Sequence, residues 1–306
     1  MPSFSDWLKA SWGDFRRRWP VLLAVAGAGG SAMLVAGLLP FIPAALATLS
    51  GVGPAWAVWG AAALVSILAV SWLSAWAQAA ILRAALTGDS TGECLSRAWD
   101  QTSAFAWVLT LVLLAVAGGY VLFIVPGLVL STLFFAAPIS LILGEARGVR
   151  ALGLSWARVK PRFGLVAFRL FAATAITAAP GYVPYVGWIA AMFWAPFSFI
   201  AVARLELDLR AADPAAVPPD WMGRAVAGLS AVALAGCVAF SVLAARVSFA
   251  AIRRFNRPDG LSSLVRPETA QALLNAYAGG ASDEQKKKAI SDLLAELRSS
   301  AASGAP

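Results

Sequence analysis

The feature that most constrains this chain is a succession of uninterrupted apolar runs, each close to the roughly 20 residues a helix needs to cross about 30 Å of hydrocarbon. They fall at 21 to 47, 55 to 82, 104 to 124, 127 to 144, 163 to 180, 186 to 203 and 225 to 245. In hydrocarbon every backbone amide must be bonded within its own segment or around a closed barrel. The runs are continuous rather than alternating, so they predict helices and not barrel strands. Composition agrees, with 60% of residues hydrophobic and 13% charged, against a charged share of roughly 25% in a soluble domain. The expected fold is all-α: a polytopic transmembrane helical bundle of three hairpins plus a seventh helix, with interfacial amphipathic helices.

The connections alternate in charge. The turns near Pro40 to Pro54, Gly118 to Gly127 and Pro180 to Gly187 carry no charged residue, whereas those at 83 to 103, 145 to 162 and 204 to 224 carry many. By the positive-inside rule the N-terminus and the charged loops are cytoplasmic, which predicts a multi-pass protein of a cell inner membrane. Arg16 to Arg18 precede the first apolar run, as in a secretory signal. That run is longer than a signal core of 7 to 15 residues, so an uncleaved first span is expected. An odd number of spans places the tail outside, although Arg246, Arg253, Arg254 and Arg257 follow the last one and resist export. A re-entrant last segment is the alternative.

Five regions result: an N-terminal amphipathic interfacial helix at 1 to 20, a six-helix transmembrane domain at 21 to 210, a cytoplasmic loop at 211 to 224, a seventh transmembrane helix at 225 to 247, and a soluble tail with short helices at 248 to 306. In the first, Phe4, Trp7, Leu8, Trp12 and Phe15 share a helical face beside Lys9 and the arginines, the pattern of a helix lying flat in the interface before the chain turns inward. Val149, Leu152, Trp156, Val159 and Phe163 recur at helical spacing, with Arg147, Arg150, Arg158, Lys160 and Arg162 on the polar side. A second in-plane helix is expected there, and Leu95 with Trp99 hints at a weaker third. In the tail, Ser282 and Gln285 form a candidate capping box. Ala289, Ile290, Leu293, Leu294 and Leu297 then make an apolar stripe that calls for a protein partner.

An offset of 58 residues maps Pro126 and Pro138 onto Pro184 and Pro196, and Phe135, Ala137 and Ser140 onto Phe193, Ala195 and Ser198. Two duplicated hairpins are one explanation and chance matching among apolar residues is the other. Kinks are expected at Pro138 and Pro196.

The stretch from Phe123 to Gly164 has a Pro-Gly turn at Pro126 and Gly127 and an aromatic-Ala-Pro helix from Phe135 to Pro138. Glu145 follows, then a short basic helix with Ser155 and Trp156, and Lys160 to Arg162 lead into the next span; the sixth helix closes in Asp208 to Arg210. This pattern resembles the membrane-domain family described at the N-terminus of some glycerophosphoryl diester phosphodiesterases, over about residues 1 to 210. The resemblance implies a membrane part only, because the roughly 250-residue barrel of phosphodiesterase chemistry has no room here, and it lends no activity.

The residues themselves offer little to catalysis. There is no histidine, no carboxylate lies inside an apolar run, and Cys94 and Cys237 form no metal or disulfide pattern. Ser31, Ser71, Ser140 and Ser198 lack a base nearby and are expected to bond between helices. No catalytic residue, metal site or cofactor is therefore assigned, and the expected role is a non-catalytic scaffold or modulator of a membrane process. The alternative is a transporter or carrier of a lipid or amphipathic small molecule. The net charge of +8 is spread in short runs beside the spans, which fits anionic lipid headgroups as partners and argues against nucleic acid. The candidate contacts for a headgroup or substrate are Arg147, Arg150, Arg158, Lys160, Arg162 and Arg169. Arg169, two turns into the fifth span, is expected to snorkel to the cytoplasmic surface. Gln78 is expected to bond a neighbouring helix. Small residues at Ala26, Gly27, Gly30 and Ser31, and at Ala227, Ala231 and Ala235, serve either packing within the chain or dimerisation.

Overall fold

The structure, a computed structural model, describes residues 1–51, 54–182, 187–255 and, in the tail, residues 284, 287, 288, 290–292, 294 and 295. The chain divides into two units, Met1–Gly236 and Cys237–Pro306. Among the described residues there is no strand. The helices are α1 Phe4–Leu38, α2 Phe41–Leu49, α3 Ala55–Leu86, α4 Thr91–Leu122, α5 Ile124–Phe134, α6 Ala137–Ile142, α7 Val149–Val159, α8 Phe163–Ala178, α9 Gly187–Ala212 and α10 Met222–Phe255.

Among the described residues, six helical stretches are long and apolar enough to cross a membrane: Phe4–Leu49, Ala55–Leu86, Thr91–Leu122, Ile124–Ile142, Val149–Tyr182 and Met222–Arg246. The protein is a multi-pass helical membrane protein. The remaining expected span, 186 to 203, falls on the first part of α9 and lies partly outside the described residues.

The first unit is organised around α1. Ser3 caps it by accepting from the Asp6 amide at 3.2 Å, with Asp6 in the positively polarised first turn. The helix then runs for 35 residues without interruption, through the arginines and through Pro20. This corrects the expectation of a flat helix followed by a turn. Part of the aromatic face packs on protein: Phe4 meets Phe168 edge-on at 5.3 Å, and Phe15 meets Phe197 at 5.7 Å and 88°. Arg18 reaches the C-terminal end of α3 and donates to the carbonyls of Ala84, Ala85 and Thr87 at 3.3, 2.6 and 2.8 Å. Those carbonyls stand where a helix end lacks intrahelical donors and carries partial negative charge.

α1 and α3 pack through small residues. A Cβ on Gly29 would lie 2.6 Å from the Ala77 Cβ, so only glycine permits this approach. Further along, Ser66 donates to the Gly37 carbonyl at 3.0 Å. The expected small-residue faces do not make this contact: Gly27, Gly30, Ser31, Ala227, Ala231 and Ala235 are exposed. Ser31 and Ser198 bond carbonyls of their own helices, and Gln78 donates to Ser74 one turn back in α3. In a helix the i−3 and i−4 positions are always within reach, so these three groups satisfy themselves locally. The buried Ser140 Oγ has no partner among the described residues.

α3 and α4 close tightly. Ser90 and Glu93 make a reciprocal capping box, and Asp89 accepts from Arg83 at 3.0 Å and Arg97 at 3.4 Å. Burial alone would lift the Asp89 carboxyl. The hydrogen bonds from Arg83 and Thr87 and the charges of Arg97 and Arg83 hold it below its usual range instead. Because the cap starts α4 at Thr91, the weak helix expected around Leu95 and Trp99 is the first part of α4, not a separate in-plane element.

α4 ends at Phe123, whose φ of −165° and ψ of 159° break the helix. α5 returns so close that a Cβ on Gly127 would lie 2.4 Å from the Tyr120 ring. Near the expected kink at Pro138 the helix is interrupted at Phe135 and Ala136, which stay in the right-handed region, and Pro138 falls in the first turn of α6. Pro196, its counterpart at offset 58, stays inside the continuous α9, so the two prolines act differently.

In the second unit, α10 continues to Phe255. Lys287, Lys288, Ile290 and Leu294 are helical and exposed. The candidate capping box at Ser282 and Gln285, Arg257, and most of the apolar stripe lie outside the described residues.

Candidate functional site at the charged end of the bundle

α7 begins at Gly148, whose φ of +55° and ψ of −134° suit only glycine, and its helix then packs on α5, α6 and α9. Leu152 and Val159 are fully buried, as their spacing predicts. Ala151 and Ser155 are buried too, and the Ser155 hydroxyl donates to the Leu133 carbonyl at 2.6 Å. α7 is therefore embedded on more than one face, which is more than an in-plane helix requires.

That depth places Arg158 inside the protein. It is 3% exposed, so the expectation of an outward headgroup contact is corrected. Its Nη1 donates to Glu145 at 2.8 Å and to Glu206 of α9 at 2.5 Å, while Arg210 donates to the other Glu145 oxygen at 2.7 Å. A lone buried cation would be prohibitive, and two carboxylates that accept from it offset the lost hydration. Glu206 lies beyond the apolar run that ends at Ala203. Burial pushes its carboxyl up to about 7, against the pull of Arg158 and Arg210 and with the help of Glu145. Its Oε2 and the Arg158 Nε are buried without a partner among the described residues.

A second buried cation lies between α1 and α9. Arg169 is 1% exposed, donates through Nη2 to the Pro2 carbonyl, and stands 5.5 Å from the centre of the Trp7 ring. The Asp208 carboxylate is 3.9 Å away. Burial raises the Asp208 carboxyl despite Arg204 and Arg169 nearby. The expectation that Arg169 snorkels to the surface is thus corrected: the end of α1 covers it, and a ring face and a carbonyl replace water.

The other predicted cations stay outside. Arg147, Arg150 and Lys160 are exposed, and Lys160 stands 5.9 Å over the Trp156 ring. Arg162 is half-buried and donates to the Ala212 carbonyl at 3.4 Å. Pro138 and Pro196 belong to the helix framework and supply no polar group to this cluster.

A cleft of about 360 Å³ opens between one face of α7, carrying Arg150, Leu154 and Arg158, and the 214–218 connection, with Glu145 at its side. The connection lies directly on the helix: a Cβ on Gly153 would fall 2.7 Å from Pro218. Trp156 and Trp221 meet edge-on at 5.2 Å close by. Among the described residues no cluster of metal-binding side chains occurs.

Sequence reasoning missed Glu206, Glu145 and Arg210 as a network, and Trp7 and Pro2 as cover for Arg169. The available signal was the stripe Ala151, Ser155 and Arg158 on α7, where two small residues precede a cation on a face that needs close packing. No protein-family model, curated protein or solved structure matches the chain.

Proposed function

We propose that this chain is a non-catalytic integral membrane protein of an inner membrane that organises or modulates a membrane process. Its N-terminus and charged end face the cytoplasm, and anionic lipid headgroups are its partners. The observation that carries this reading is the division of labour on α7. Arg158 ties the helix into the bundle from within, and Arg147, Arg150 and Lys160 are left on the outside. Each cation near an anionic leaflet contributes about 1 kcal/mol of attraction, and a pinned helix loses little further entropy on using it. The resemblance of residues 123 to 164 to a phosphodiesterase-associated membrane domain is compatible with this role and supplies no chemistry of its own.

The test is the lipid that accompanies the purified protein. In nanodiscs of mixed lipid, the protein enriches anionic lipid around itself, and the Arg147→Ala, Lys160→Ala double variant does so less. Equal enrichment by both proteins rejects the reading. A Ser282→Cys variant probed with an impermeant thiol reagent in sealed vesicles reports the side on which the tail lies.

A carrier of an amphipathic molecule is the second reading. It is favoured by an apolar groove of about 760 Å³ between α2 and α3, lined by Pro40, Pro43, Val58 and Val65 among others. A proteoliposome flux assay separates the two, since a scaffold moves no lipid.

A further inference from the structure

We propose that the cleft between α7 and the 214–218 connection is a binding site for a small oxyanion of the phosphate class. Three observations combine. First, the cleft is built rather than incidental. Residues at intervals of four on α7 form one wall, a chain segment containing Pro214 and Pro218 forms the other, and Gly153 is needed for the two to meet. Proline segments hold their shape without internal hydrogen bonds, so the opposing wall is preorganised.

Second, the cleft wall includes a cation that is almost wholly buried and incompletely used. Arg158 is 3% exposed, its Nη1 serves both carboxylates, and its Nε has no partner among the described residues. A guanidinium offers five donors in a plane, the arrangement that matches a phosphate or carboxylate oxyanion. Arg158 lines the cleft with donors beyond the one its carboxylates use, and an oxyanion is the group of the right charge and shape for them.

Third, the local charge favours an anion in spite of Glu145 at the rim. Both Glu145 oxygens already accept from guanidinium groups, of Arg158 and Arg210. Arg150 lines the same wall, is exposed, and has no carboxylate partner among the described residues. Two turns of helix separate Arg150 from Arg158, and both long side chains border the space over Leu154. Leu154 and Val217 give that space apolar sides, so a phosphate carrying a short organic body fits as well as the free ion. The site shares Arg150 with the proposed headgroup contacts and otherwise differs from them, because it concerns one ligand in one cleft and does not use Arg147 or Lys160.

The experiment uses the full chain in an uncharged detergent and measures radiolabelled inorganic phosphate by equilibrium dialysis, with chloride at matched ionic strength as control. Wild type is expected to bind saturably at one site per chain. Arg150→Glu, which reverses a charge at an exposed position, and Ala216→Trp, which fills the cleft from the opposite wall, are each expected to weaken binding at least about tenfold with unchanged melting temperature. Absence of saturable binding, or equal binding by wild type and both variants, overturns the proposal. Repeating the measurement in nanodiscs with and without phosphatidic acid identifies the source. Displacement of phosphate by that lipid assigns the site to a headgroup, and undiminished binding assigns it to a free phosphate; both support the site. Loss of lipid enrichment in the Arg147, Lys160 variant with phosphate binding intact separates the two readings experimentally.

Discussion

Arg158 of α7 and Glu206 of α9, 48 residues apart in sequence, meet at 2.5 Å with side chains 4% and 0% exposed. Removing Arg158 leaves Glu206 buried close to Glu145 without its cation, and breaking a buried pair costs several kcal/mol. Arg158→Met is expected to cost about 3–5 kcal/mol. Arg158→Met combined with Glu206→Leu should cost clearly less than the two single changes added together. Thermal unfolding in detergent, run as a double-mutant cycle, measures this; strict additivity would mean the pair is uncoupled.

The position of Glu206 also gives the protein a pH dependence. Its carboxyl is raised to about 7 in the folded state from an ordinary value of 4.5. Between those values the folded chain holds a proton that the unfolded chain has released, so this group's contribution to stability falls as pH rises from about 4.5 to about 7. Above that range its effect is constant. The groups set around it are Arg158 on α7, Glu145 before α7, and Arg210 one turn on in α9. The melting temperature of wild type is expected to fall across this window more than that of Glu206→Gln. Parallel profiles for the two proteins would remove Glu206 as the cause.

Much of the architecture was legible in the sequence, because a membrane span is specified by its own twenty residues. Hydropathy locates the apolar portions of α3, α4, α5 with α6, α8, α9 and α10, and the charge-free turns mark the hairpins. What was not legible depends on partners far along the chain. Nothing near Arg158 announces Glu206, and nothing near Arg169 announces Trp7 and Pro2, so the local pattern assigned both cations to the surface. The sequence reads α1 as two pieces because an amphipathic stretch ending in Arg16 to Arg18 gives way to an apolar run. In three dimensions Arg18 has acceptors at the end of α3, and the polar stretch stays helical.

Gly148 sets the start of α7, and its φ of +55° with ψ of −134° lies where a side chain is strained. Gly148→Ala is expected to cost about 1–3 kcal/mol. Gly164 lies in the first turn of α8, where an added Cβ would face open space, and Gly164→Ala is expected to be neutral or to stabilise by up to about 1 kcal/mol. Thermal unfolding of the two variants side by side checks the contrast.

The α1–α3 contact admits one glycine and not its neighbours. Gly29→Leu forces the helices apart at Ala77 and is expected to cost about 1–3 kcal/mol. Gly27→Ala and Gly30→Ala face open space and should leave stability nearly unchanged. Chemical denaturation in mixed micelles distinguishes these outcomes, and equal losses at all three positions would place the contact elsewhere.

The tie between Arg18 and the end of α3 has a consequence for biogenesis. The carbonyls of Ala84, Ala85 and Thr87 take their donor from a residue synthesised 66 to 69 positions earlier. The donor for these carbonyls is thus made before the helix end that needs it, and each carbonyl finds it once α1 and α3 lie side by side.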